Sequence, residues 1–158
     1  MAWSDVLAVV AAVGAGVMGG VFFAFSVFVM RALDRLPTLQ AVAAMRAINV
    51  TVITPLFMLG FVGTALLSVA VLVVVATGGF AGSAPLGAAG AITYLIGTFT
   101  LTAAYNVPRN NRLEQYGDSA EGVEYGPTYR RQWTLANHVR TAAGIVAALL
   151  LALAVLPS

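Results

Sequence analysis

Residues Tyr129–Gly144 read YRRQWTLANHVRTAAG and run straight into IVAALLLALAV, Ile145–Val155. The second stretch carries no polar side chain. Joined to the end of the first, it provides the run of about 20 mostly apolar residues that a bilayer-spanning helix needs. The first stretch places Trp133, Asn137, His138 and Arg140 at the mouth of that helix. Such residues serve either as interfacial anchors or as one wall of a polar site, and the rest of the chain has to decide between the two.

Composition fixes the class. Of 158 residues, 60% are hydrophobic and 9% charged, against about 25% charged in a soluble domain. Mean hydropathy is +0.92. A water-soluble globule could not cover this much apolar surface, so the chain reads as an integral membrane protein, a single membrane domain over residues 1–158. Cysteine is absent, which excludes disulfides, thiolate metal sites and thiol catalysis. Lysine is absent too, which excludes Schiff-base chemistry. With one histidine and no cysteine, no metal site is expected. No basic run or soluble domain supports nucleic-acid binding. The acidic start MAWSD and the long first apolar run do not resemble a secretory signal.

Four segments are long enough to span: approximately 6–30, 50–76, 86–105 and 137–156. An amphipathic turn from Leu39 is expected to lead into the second. Pro55 should kink that helix or start its buried part. Pro108 is expected to end the third, and Pro127 to begin a polar extension of the fourth. All eight arginines lie near the first and third connections: Arg31, Arg35, Arg46, Arg109, Arg112, Arg130, Arg131 and Arg140. The positive-inside rule then puts both polar connections in the cytoplasm and both termini outside. The expected fold is all-α, a four-helix transmembrane bundle of the inner (cytoplasmic) membrane, N-out and C-out. Small residues at Ala8, Ala12, Gly16, Gly20 and Ala24, and more loosely at Gly90, Gly97 and Ala104, read as close helix contacts.

The polar and aromatic residues converge on one depth. Helix one brings Phe22, Phe25 and Ser26; helix two Arg46 and Asn49; helix three Tyr105, Asn106 and Asn110; helix four Trp133, Asn137, His138 and Arg140. Trp133, Asn137, Arg140 and Gly144 follow i, i+4, i+7, i+11 and share a helix face; His138 stands about 100° round from Asn137. An amide near hydrocarbon needs a partner, and three helices each supply one, which points to an interior network. That network is either structural or part of a site. The sequon at Asn49 falls on the expected cytoplasmic side and is set aside. Glu114, Asp118, Glu121 and Glu124 read as a solvated acidic loop that balances nearby arginines.

The blocks GGVFFAFSVFVMRAL, AMRAIN, NVPRNNRL and WTLANHVRT, in this order and spacing, resemble the anthrone oxygenase-like integral membrane family, also catalogued as domain of unknown function 1772. The resemblance implies oxidation of a lipophilic anthrone or hydroquinone-like aromatic by dioxygen, without an organic cofactor, at the cytoplasmic face. On that basis His138 is the expected base. Arg140, Asn137, Asn49 and Asn106 are expected to hold an oxyanion and ring hydroxyls, with Arg46 and Ser26 beside them. Trp133, Tyr105, Phe22 and Phe25 are expected to stack on the polycycle, and Asn110 to support the turn after Pro108. The expected partners are that aromatic molecule, dioxygen and the lipid bilayer, with a homo-oligomer open. Two other readings stay open: a quinone-binding redox accessory protein, and a non-enzymatic structural membrane protein. Transport is disfavoured by the aliphatic outer half and the lack of paired broken helices.

Overall fold

A computed structural model describes residues 2–156 of the chain. Among these residues there is no strand, and four helices are long and apolar enough to cross a membrane. The protein is a multi-pass membrane protein. Its helices are α1 (Trp3–Leu33), α2 (Thr38–Thr51), α3 (Pro55–Ala76), α4 (Ala84–Tyr116) and α5 (Ala120–Leu153). The spans α1, α3, α4 and α5 close a ring in which α1 packs on α5 and α3, and α4 packs on the same two. Helix α2 is too short to span. It packs across the arginine-rich end of the ring, against the extensions of α5 and α4 and the last turn of α1.

Of Pro55, Pro108 and Pro127, only Pro55 sets a helix boundary. The expected second span begins at residue 50, but the helix breaks over residues 52–54 and restarts at Pro55. Proline forces its predecessor out of the helical region: Thr54 is extended, and its Oγ1 caps the new helix by accepting from the Phe57 N–H at 3.2 Å. Of the two roles open to Pro55, it takes the second. Pro108 does not end the third span. Residues Tyr94–Thr100 and Thr102–Asn106 are π-helical, so the ladder has already shifted to i→i+5 bonds where the proline enters. The Val107 N–H reaches the Thr102 carbonyl, Arg109 donates to the Tyr105 carbonyl at 2.9 Å, and the helix continues to Tyr116. Pro127 sits inside α5 instead of starting it. The start is Ser119, whose hydroxyl accepts from the Gly122 N–H. The expected acidic loop is therefore mostly helix, turned at Gly117, whose φ of 56° and ψ of −141° suit glycine.

The contact stripe of α1 is Ala8, Ala11, Ala15, Gly19 and Phe22, all buried; Gly16 and Gly20 are exposed. A strict i+4 repeat drifts about 40° per step on a 3.6-residue helix, so a straight contact needs mixed steps of three and four. Gly19 meets Gly144 backbone to backbone: a Cβ on Gly144 would stand 2.8 Å from the Gly19 Cα. In lipid, where apolar burial drives little, such approaches supply the packing. On α4, Gly90 and Gly97 take the corresponding places against Leu151 and Ala143 of α5, while Ala104 faces outward.

Candidate functional site

The Gly19–Gly144 crossing sets what lies within two turns of it toward the polar end. With the backbones that close, the Asn137 side chain on α5 reaches α1 and donates from Nδ2 to the Phe22 carbonyl and to Ser26 Oγ, both at 2.7 Å. Helix α1 is π-helical over Phe25–Val29. The Phe22 carbonyl accepts from the Phe25 N–H at the start of that π turn, and its second lone pair takes the Asn137 amide. Asn137 Oδ1 accepts from Arg140 Nη2 at 2.8 Å, and Thr102 Oγ1 from Arg140 Nη1 at 3.3 Å.

Arg140 is thereby fixed inside the ring, 3% exposed. Its guanidinium carbon lies 4.4 Å from the Phe22 ring centroid and 4.7 Å from that of Trp133, two cation–π contacts that spread the charge over aromatic faces. No carboxylate pairs with it among the described residues, and its Nε has no partner. Two further buried polar atoms nearby are also unpartnered, Trp133 Nε1 and Asn106 Oδ1. Asn106 itself is held by a long bond from Nδ2 to the Trp133 carbonyl, 3.5 Å. Buried polar atoms are normally paired, and an ionisable residue inside a membrane domain marks a functional site by default.

Beside Arg140 opens a cavity of about 400 Å³, within the usual range of small-molecule sites. Phe22, Phe25 and Trp133 form an aromatic wall, with Phe25 and Trp133 tilted at 5.5 Å between centroids. Phe57, Met58 and Phe61 of α3 face them. Met45, Ile48 and Asn49 of α2 roof the space. The rim at Val50 and Ile53 is apolar and strongly exposed, 65% and 69%. From α4 come Thr102, Val107, Asn110, Asn111 and Glu114. Beneath α2 a chain of hydrogen bonds links three helices: Asn49 Nδ2 donates to the Tyr129 hydroxyl at 3.2 Å, and that hydroxyl donates to Asn110 Oδ1 at 2.8 Å.

Six of the expected residues therefore line one space: Phe22, Phe25, Asn49, Asn110, Trp133 and Arg140. Asn137, Ser26 and Asn106 stand behind them as supports. Three stand elsewhere. His138, the expected base, is exposed on the outer side of α5 and does not line the cavity. Its 100° offset from Asn137 turns it away from both α1 and α4. The Tyr105 ring stacks under Arg109, 3.3 Å from its guanidinium carbon, outside the cavity. Arg46 forms ion pairs on the outer side of α2, with Glu114 at 2.8 Å and Asp118 at 2.7 Å. Glu114, principally, holds the Arg46 guanidinium above its ordinary pKa, so it stays charged at any working pH. Sequence reasoning missed Tyr129 and Glu114. The signal for Glu114 was its i+4 spacing from Asn110, hidden because the segment read as a loop.

The anthrone oxygenase family model matches residues 54–150, well over half of the chain. The chain belongs to the anthrone oxygenase family. No curated protein and no solved structure matches it. The matched stretch includes Asn110, Glu114, Trp133, Asn137 and Arg140; the α1 and α2 walls of the cavity lie before it. As an anthrone oxygenase family member, the chain offers a cavity with aromatic walls and one buried cation, Arg140. That arrangement suits a planar polycycle on which negative charge develops.

Proposed function

We propose that this family member oxidises a lipophilic anthrone or hydroquinone-like aromatic with dioxygen, inside the Arg140 cavity. The observation that carries this reading is the buried, acid-free guanidinium of Arg140 against the Trp133 and Phe22 faces. For an anthrone the chemistry closes. The benzylic CH2 loses a proton, and its electron pair delocalises onto the carbonyl oxygen as an enolate. Dioxygen accepts the electrons and bonds to that carbon as a peroxide anion, which takes up one proton from solvent to give the hydroperoxide. Loss of water leaves a second carbonyl: one oxygen atom ends in the quinone and the other in water. The protein's contribution is to hold the enolate oxygen. Arg140 is oriented beforehand by Asn137 and Thr102, and fixed charges aimed at developing charge are the largest single source of rate in such sites. Asn49 and Asn110 offer amides to ring hydroxyls elsewhere in the cavity.

The exposed apolar rim at Val50 and Ile53 gives such a molecule a sideways entrance from lipid. On the charge asymmetry of the connections, the cavity end faces the cytoplasm of a cell membrane. The test is dioxygen uptake by the purified protein in detergent with a hydroxylated anthrone, against the spontaneous autoxidation blank and an Arg140→Met variant. Uptake above the blank in the wild type, lost in the folded variant, supports the reading. Uptake equal to the blank over a series of anthrones contradicts it.

A further inference from the structure

We propose that Glu114 accepts the substrate's proton, an assignment that rests on the oxidation proposed above. Breaking the benzylic C–H bond leaves the electron pair on the substrate and needs a base for the proton. Among the residues lining the cavity only Glu114 and Arg140 are charged at neutral pH, and Arg140, a cation, cannot accept it. His138 is outside. Helix α4 presents Val107, Asn110, Asn111 and Glu114 to the cavity at i, i+3, i+4 and i+7, so Glu114 stands at the end of a continuous lining stripe. It also lines a second, open groove on the outer side of α2, with Arg46 and Asp118. One side of the residue thus faces the substrate space and the other faces solvent. A proton taken from the substrate has a way out.

The charged groups around Glu114 fit this role. Arg46 donates from Nε to Oε2 at 3.0 Å and from Nη2 to Oε1 at 2.8 Å, which orients the carboxylate and keeps it ionised. Asp118 shares Arg46 at 2.7 Å from its Nη1. Arg140 lines the same cavity. An ion-paired carboxylate is a weak base. Arg140 offsets this from the other side of the reaction, because it stabilises the anion that the proton leaves behind. The proton goes to Glu114, the charge to the substrate oxygen beside Arg140, and Glu114 returns the proton to water through the groove.

The experiment measures blank-corrected dioxygen uptake with a hydroxylated anthrone and with the same anthrone deuterated at its methylene, across pH. Glu114→Gln is expected to lose about 100-fold or more, in line with general-base catalysis. Its residual rate should climb with pH as hydroxide takes over, and deuterium should slow it. Arg46→Gln breaks the same ion pair but keeps the carboxylate, and should stay within about tenfold of wild type. Glu114→Asp keeps the charge but draws it back by one methylene. It decides the matter if the glutamine variant does not fold, and a loss of about tenfold or more is expected. Glu114→Gln or Glu114→Asp at the wild-type rate overturns the assignment, as does Arg46→Gln losing as much as Glu114→Gln, since the pair would then be structural. A wild type equal to the blank overturns the proposed oxidation itself, and this assignment with it.

Discussion

The surface around Arg46 and the interior around Arg140 solve the same problem in opposite ways. Arg46 lies at the edge of α2, about a quarter exposed, and two carboxylates neutralise it. Arg140 lies inside the ring with amide, hydroxyl and aromatic neighbours and no carboxylate. A buried charge left without its counter-charge is costly. The Arg46 side has everything it needs to be a clamp between α2 and the end of α4. On the proposed function, an anion entering the cavity completes the Arg140 side. The difference separates a charge paired within the protein from one left without a counter-charge, and it can be tested by removing each.

The largest effect is expected from Arg140→Met. Loss of a preorganised donor at a developing oxyanion lowers the rate by about 100- to 1,000-fold. The apolar side chain of similar length should change stability by no more than about 1–2 kcal/mol, because the removal of an unpaired buried charge offsets the orphaned Asn137 Oδ1. Thermal unfolding in detergent alongside the uptake assay checks both halves. If melting collapses as well, Arg140 belongs with the structural charges and the contrast with Arg46 is gone.

Next comes the frame that brings the two helices together. Gly144→Val puts a branched side chain where a Cβ alone would meet the Gly19 Cα at 2.8 Å. Separating α1 from α5 should destabilise by about 1–3 kcal/mol. Asn137→Ala removes three hydrogen bonds that join α1, α5 and Arg140. A loss of about 1–2 kcal/mol is expected, together with most of the activity. A smaller effect is expected at Trp133. Trp133→Phe keeps an aromatic face and should weaken binding of a hydroxyanthraquinone by less than about tenfold, the scale of one aromatic contact. Trp133→Ala should weaken it further, read by fluorescence titration. The smallest effect is expected at His138. Exposed and remote from the cavity, His138→Ala should leave stability within about 0.5 kcal/mol and dioxygen uptake unchanged.

Much of this was legible in the chain. The four spans follow from apolar run length, and the face shared by Trp133, Asn137, Arg140 and Gly144 follows from helical spacing; all four are buried. What spacing cannot show is which way a neighbour of that face turns. His138 and Arg140 are both polar, both near the face and two residues apart; only the positions of α1 and α4 put one inside and the other out. Boundaries failed where local rules were overridden. The π turns of α4 carried the helix past Pro108, and this turned the expected loop into the helix that brings Glu114 to the cavity. The separate α2 was hidden because the amphipathic turn from Leu39 was expected to lead directly into the span at residue 50. Tyr129 looked like part of a polar extension, yet it is 1% exposed and ties Asn49 to Asn110.

The central claim is that Arg140 waits for an anion on an aromatic ring. It is tested most directly by titrating a hydroxyanthraquinone bound to the protein and following the red shift of its phenolate by absorbance. In the wild type the bound phenol should ionise at a lower pH than the free compound, and in Arg140→Met this shift should disappear. Equal ionisation in the wild type and the variant, with both still binding, would contradict the account.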